Sequence, residues 1–330
     1  MNENIHILEK KRVLFLGVEF YNYHNKIKES IEELGAIVDF YPIIRYNFFN
    51  SILNNLNQSK HKRFIVKIGN EILRSTSTKE YDFVFVIQGW QQCVDFYINL
   101  KKQQVKAKFI MYHWDSLMAH DYLPYVRYFD RIFSYDPIDV KNNSNLHYLP
   151  LFYIKEHEAS LTNRKMYKYD ILFIGKLRSF MERYYYVNQL IEYSRNNNLY
   201  IYIHLYTDYQ FYFKQIFKGR ILRNVKFKPL SEESVVKLIS KSKVIIDFHD
   251  PIKNGLTMRT FEALGANKKL LTTNVNILNE SFFNDKIINI IDINKFNIQQ
   301  DFVNSEIPKE LHNIMSDYSI DSWAMKVFTL

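Results

Sequence analysis

Short apolar runs alternate with longer amphipathic stretches along this chain, a pattern that predicts strands separated by helices. Val13–Phe20 (VLFLGVEF) is the first buried-strand candidate. Residues 24–34 read as a helix ending at Gly35, followed by a strand near Ile37–Tyr41. A polar, mostly helical stretch covers about 47–76. Then come YDFVFVIQG (81–89), a helix near 91–103, KFIMYHWD (108–115), a short helix near 120–128, RIFSYD (131–136) and LHYLPLFY (146–153).

After a charged segment with no regular pattern, the same grammar restarts. YDILFIG (169–175), LYIYIHLYT (199–207), VKFKPL (225–230), VIIDFH (244–249), LLTTN (270–274) and INIID (288–292) read as strands. The helices between them fall at 179–195, 232–241 and 256–266. Ser231 is the expected N-cap of the middle one, with Glu232 and Glu233 in its first turn, where the helix dipole favours acids. Ser319–Phe328 predicts a last helix. Continuous apolar strands joined by helices imply α/β architecture, with parallel sheets covered on both faces. The expected division is residues 1–153, a linker at 154–168, a second domain at 169–315, and a helix at 316–330 returning to the first.

Composition changes this picture little. A chain of 330 residues, 47% hydrophobic and 24% charged, suits two globular domains. Its 25 Tyr and 26 Phe follow the same bias that enriches Asn, Lys and Ile, so they carry no argument for sugar stacking. The net charge of +9 is scattered in short clusters, such as Lys60-His61-Lys62-Arg63, and no nucleic-acid motif accompanies it. A single cysteine, Cys93, excludes an internal disulfide and reads as a small buried hydrophobe in a helix. There is no signal-peptide pattern and no apolar run near the roughly 20 residues of a membrane span. The chain therefore reads as cytoplasmic, with peripheral attachment at the inner-membrane face allowed by its charge.

In open parallel sheets, ligands gather outside the carboxyl ends of the strands. Those ends carry Gly175-Lys176-Leu177-Arg178, Asp247-Phe248-His249-Asp250, and Asn254-Gly255-Leu256-Thr257 running into a helix. A glycine at a helix start lets a ligand approach free N–H groups that suit a phosphate. Arg259 and Glu262, three apart, share one helix face. The carboxylate could accept both hydroxyls of a ribose while the arginine meets a phosphate. The competing reading is a plain i,i+3 ion pair.

GLTMRTFEALGANKKLLTTN (255–274) resembles the donor-binding signature of GT-B glycosyltransferases. Glu262-Ala263-Leu264-Gly265 matches the glutamate that such enzymes use to hold the nucleotide ribose. Asn254 stands where the family's first acid would fall, a departure from the pattern of the large retaining class. Gly175, Lys176, Arg178 and Arg183 resemble the loop whose basic residues grip the donor diphosphate. With YHWDS (112–116), FSYDPIDV (133–140), YLPLFY (148–153) and YDILFIG (169–175), the text resembles bacterial surface-polysaccharide transferases, distantly CgeB-like, over about residues 80–275. The resemblance implies two Rossmann-like domains facing a cleft, a donor site of Gly175, Lys176, Arg178, Arg183, His249, Gly255, Leu256, Thr257, Arg259 and Glu262, and a nucleotide-sugar donor. The acceptor it implies is a glycan or lipid-linked glycan of lipopolysaccharide or capsule.

An inverting transfer needs a general base facing the acceptor hydroxyl. Asp115, ending KFIMYHWD, is the first choice. Glu19 is the second, because Gly17-Val18-Glu19 falls where several GT-B enzymes place their base. Asp136 is the third. His204, His249 and Asp250 form no recognisable metal set, and Asp136-Pro137-Ile138-Asp139 has the wrong spacing for a DxD motif, so no metal or other cofactor is expected. A phosphate-binding GxxxxGK, a GxSxG elbow and a dinucleotide fingerprint are all lacking, which argues against the corresponding enzyme classes. A nucleotide-sugar 2-epimerase and a non-catalytic GT-B-like binding or assembly protein are the alternatives.

Overall fold

A computed structural model describes residues 6–19, 22–44, 58–159, 167–178, 180–312 and 314–329. The chain divides into two units. The first comprises residues 1–151 with 252–255 and 320–330, and the second comprises 152–251 with 256–319.

The first unit runs β1 (Arg12–Val18), α1 (Tyr23–Glu33), β2 (Ile37–Ile44), α2 (Gln58–Thr76), β3 (Phe83–Ile87), α3 (Val94–Gln103), β4 (Lys108–His113), β5 (Arg131–Ser134), α4 (Pro137–Asn142) and β6 (His147–Tyr148). Its strands pair in parallel in the order β2-β1-β3-β4-β5-β6. The continuous apolar run of β1 is explained by burial on both faces. Leu14, Leu16 and Val18 pack with Ile68, Ile72, Phe96 and Leu100 from α2 and α3. Phe15, one residue out of phase, stacks on Phe85 on the opposite face.

The second unit runs α5 (Lys155–Ala159), β7 (Tyr169–Lys176), α6 (Glu182–Asn196), β8 (Ile201–Tyr206), α7 (Tyr209–Phe217), α8 (Glu232–Ser240), β9 (Ser242–Asp247), α9 (Met258–Gly265), β10 (Lys269–Thr272), β11 (Ile288–Ile290) and α10 (Gln300–Asn304). Its parallel sheet has the order β11-β10-β9-β7-β8. Ser231 caps α8 by accepting from the Ser234 N–H, as its position predicts.

A final helix, α11 (Ile320–Thr329), belongs to the first unit. It covers the face of the first sheet that α2 and α3 leave open. Trp323 meets Tyr112 edge-on at 4.9 Å, and Phe328 meets Phe83 and Phe85. The Ser30 hydroxyl of α1 donates to the Asp321 carboxylate.

Three expectations are corrected. LHYLPLFY forms only a two-residue strand, because Pro150 has no N–H for a ladder; the residues that follow are a buried connection instead. VKFKPL makes a single bridge, Tyr206 with Lys226, and no strand. The segment read as a linker begins with α5, which packs on α9 and buries His157. Its continuation, 160–166, lies outside the described residues, as do 47–57 of the expected long helix and Phe20 of the first strand run.

Candidate functional site

Each sheet has one place where successive connections depart in opposite directions, and its carboxyl edge there is the natural ligand crevice. In the second sheet this point lies between β7 and β9. Gly175 and Lys176 end β7, and Leu177 turns inward, fully buried, so that Lys176 and Arg178 stay exposed on either side of it. Arg183, in the first turn of α6, spans the crevice. Its Nη1 donates to the Lys176 carbonyl at 2.7 Å, and Nη2 donates to the Phe248 carbonyl at 3.0 Å. The guanidinium thus fastens the two strand ends together and lies over the Phe180 ring.

Beside it, a depression of about 440 Å³ is lined by Phe180, Tyr186, His249, Thr273 and Asp292 among others. The His249 N–H donates to the Thr273 hydroxyl, which fixes the backbone after β9.

Helix α9 follows on the same edge. Thr257 occupies its N-cap in an extended conformation, yet the threonine hydroxyl donates to Asp247 at 2.8 Å and does not cap the helix. Leu256 is buried. Arg259 and Glu262 form an ion pair at 2.5 Å, with side chains 15% and 8% exposed. This is the i,i+3 pair that the spacing allowed, but it is shielded where a helix surface would be solvated. His157 of α5 lies close enough to feel both charges, and burial holds its imidazole below the usual histidine range.

The first sheet changes direction between β1 and β3. Glu19 stands exposed just after β1. After β3, Gln88 adopts a left-handed backbone (φ 58°), unusual for a non-glycine residue and a mark of a conformation held in place by its contacts. Its Nε2 donates to Asp115 Oδ2 at 2.6 Å, while Lys253 Nζ donates to Asp115 Oδ1 at 2.8 Å. Both carboxylate oxygens are thereby aimed by opposite neighbours. His113 lies flat against Tyr122 and shares a hydrogen bond through Nδ1 with the Asp115 carbonyl. Burial pushes this imidazole down to about 4.

Asp136 is buried and caps α4 through Oδ1, and Oδ2 receives the Asn254 N–H and side-chain amide. Asp139 accepts from the Leu117 N–H and the Tyr122 hydroxyl, and burial raises its carboxyl to about 6. The loop 252–255 therefore docks on this strand edge at three successive residues. Gly255 completes the docking: a Cβ there would fall 2.4 Å from the Tyr135 ring. The glycine admits an aromatic ring of the chain itself, a reason for the missing Cβ that its position in the sequence did not suggest.

No protein-family model matches the sequence, and no curated protein matches it. Solved structures do. An apo structure of OtsA superposes with a TM-score of 0.61 at 10% identity, covering 97% of this chain and 100% of that one. The lipopolysaccharide outer core galactosyltransferase WaaB in its apo form gives 0.52 at 12% identity, covering 96% and 98%. A UDP-complexed MnaA from S. aureus gives 0.51 at 13% identity, covering 96% and 94%. The two parallel sheets of six and five strands match these neighbours over nearly their whole length.

The fold is GT-B.

Within this GT-B chain, Gly175, Lys176, Arg178, Arg183 and His249 gather at one edge of the second unit, with Thr257, Arg259 and Glu262 on the helix that follows β9. Gly255 belongs to the docked loop of the first unit. Asp115 is brought to Gln88 and Lys253, and Glu19 stands exposed at the end of the neighbouring strand β1. Gln88, Lys253 and His157 were not anticipated. Lys253 and His157 reach their partners by long-range packing that leaves no local signal. Cys93 is a half-buried N-cap at the start of α3, packed against the core and not within it. Among the described residues, no group of three or more His, Cys, Asp or Glu is placed to hold a metal ion.

Proposed function

We propose that this protein is a glycosyltransferase that moves a sugar from a nucleotide-sugar donor to a hydroxyl of a growing surface glycan, lipopolysaccharide or capsule. The observation that carries the reading is the pair of exposed cations, Lys176 and Arg178, held at the direction-change point of the second sheet by the Arg183 bridge. As the bond from sugar to nucleotide breaks, the departing diphosphate gains negative charge, and fixed cations at that position lower the barrier. The aromatic-lined depression beside His249 offers the base a stacking surface, and Glu262, shielded and paired with Arg259, is the carboxylate proposed for the ribose once that pair opens. Asp115 is the proposed base, with Gln88 and Lys253 orienting it. The proposed transfer draws its charge stabilisation from these side chains, so it should persist in EDTA.

Fold likeness to MnaA and to a UDP-N-acetylglucosamine 2-epimerase from Listeria monocytogenes (TM-score 0.50) supports a second reading, epimerisation of the donor sugar itself. One experiment separates the two. The protein is screened by thermal shift against UDP-, GDP-, CMP- and dTDP-sugars, and the stabilising donor is then incubated alone and followed by NMR. Stabilisation that disappears in Lys176→Ala/Arg178→Ala, with the donor's C2 configuration unchanged, is the expected result. Inversion at C2 without an acceptor would replace transferase by epimerase. No stabilisation by any donor would leave a binding or assembly protein.

A further inference from the structure

Helix α7 and the turn after it have a surface that neither sheet edge accounts for. Between Tyr209 and Leu230 the sequence holds six basic residues, Lys214, Lys218, Arg220, Arg223, Lys226 and Lys228, and no acidic one. Phe211, Tyr212 and Leu222 pack inward on the core of the second unit. The outward residues should therefore be polar, and they are not. Phe217 is 89% exposed, Ile221 73%, Tyr209 59% and Phe213 53%, with Ile216 also exposed.

Tyr209, Phe213 and Phe217 recur every four residues and share one face of the helix. Tyr209 is stiffened by stacking on Phe227 at 4.4 Å. Gly219 ends the helix at φ +73°, a conformation that favours glycine. Its N–H and that of Arg220 close back on the Ile216 and Gln215 carbonyls. Among the described residues, no ion pair involves Lys214, Lys218, Arg220 or Arg223.

We propose that α7 and the turn through Arg223 form a docking surface for an anionic phospholipid bilayer. Phe213, Phe217 and Ile221 would enter the headgroup–acyl boundary, with the surrounding lysines and arginines on lipid phosphates. Exposed apolar patches of this kind mark interaction sites, and a basic rim around aromatic and aliphatic side chains is the composition of helices that lie in a membrane interface. The phosphate charge alone would equally suit RNA. Ile216 and Ile221 decide between them, because aliphatic side chains have no ring on which a base could stack. The turn adjoins the donor-side edge, where the Arg223 N–H donates to the hydroxyl of Tyr184 beside Arg183, but the proposal does not depend on the glycosyl-transfer reading.

The test is flotation of the full chain with vesicles of phosphatidylcholine alone or mixed with phosphatidylglycerol. Binding is expected only to the mixed vesicles, weakening with salt. Phe213→Ser/Phe217→Ser should lower partitioning roughly tenfold or more with little change in melting temperature, since Phe217 is almost wholly and Phe213 half in water already. Lys218→Glu/Arg220→Glu should do the same, and Phe217→Trp should show blue-shifted emission on the mixed vesicles. Absence of flotation, or flotation unchanged by the serine pair, would overturn the proposal. So would a Phe217→Trp signal that responds to single-stranded RNA and not to vesicles.

Discussion

The carboxyl edges of the two sheets are built on the same topological plan and carry opposite chemistry. At the first edge, acids are locked in place: Asp136 is fully buried with its N–H partners, Asp139 is nearly so, and Asp115 is held between Gln88 and Lys253. At the second, cations face solvent: Lys176 and Arg178 are exposed, while Arg183 spends its donors on backbone carbonyls. A buried carboxylate needs hydrogen bonds to offset its desolvation, whereas an exposed lysine needs none. The first edge is therefore rigid and specific about geometry, and the second is open and attractive to anions. Like scaffolds thus present bound acids in one unit and open cations in the other, the division that the proposed transfer would use.

The contrast can be broken at either edge. The largest effect is expected at the first: Asp115→Asn should lower the transfer rate constant by about 10³ while donor-induced thermal stabilisation is unchanged. A rate within a factor of a few of the parent would remove Asp115 as base and leave Glu19 to be tried. At the second edge, Lys176→Ala/Arg178→Ala should lower both the rate and donor binding, by about 10² in kcat/KM. An unchanged rate with full donor affinity would place the cations elsewhere than on the diphosphate.

Smaller effects sharpen the comparison through stability. The folded Asp139 carboxyl titrates at about 6 and the unfolded one near 3.8, so acidification from 6 to 4 favours the folded state. His113 runs the other way. Its folded value of about 4 lies below the ordinary 6.5, so acidification across that window favours unfolding. The two contributions oppose each other, each amounting to about 3 kcal/mol. Asp139→Asn leaves His113 unopposed, and urea unfolding should show the variant losing about 2 kcal/mol more than the parent between pH 6.5 and pH 4. Equal slopes would mean that the two groups do not titrate as their burial implies. The smallest effect belongs to Arg183→Lys, which cannot span two carbonyls; a loss of about 1 kcal/mol is expected, read from the same unfolding curves. Donor affinity lost without that stability change would make Arg183 a ligand contact more than a brace.

The sequence announced the strands because central parallel strands are buried on both faces, as β1, β3, β7 and β9 are, and their apolar runs leave little ambiguity. It announced the basic loop after β7 and the Arg259–Glu262 pair because spacing alone places those residues. It was silent on what distant partners decide. Only the position of Tyr135 shows that the missing Cβ of Gly255 makes room for that ring. Lys253 meets Asp115 across 138 positions of chain, a relation no local pattern encodes. Segment 154–168 has strand and helix propensities too weak to read, and α5 forms because it packs on α9.

The last helix carries a consequence for biosynthesis. Trp323 and Phe328 finish the aromatic layer on the first sheet, and the Ser30 bond to the Ile320 carbonyl joins residues 290 positions apart. A ribosome therefore releases β1 to β6 long before the side chains that cover their second face have been made. The nascent first unit must wait, with that layer uncovered, through synthesis of the whole second unit. The second unit can complete its own sheet first, so the order of maturation is the reverse of the order of translation. Holding chaperones would be expected to engage the early half of the nascent chain and let go only after residue 329 has emerged.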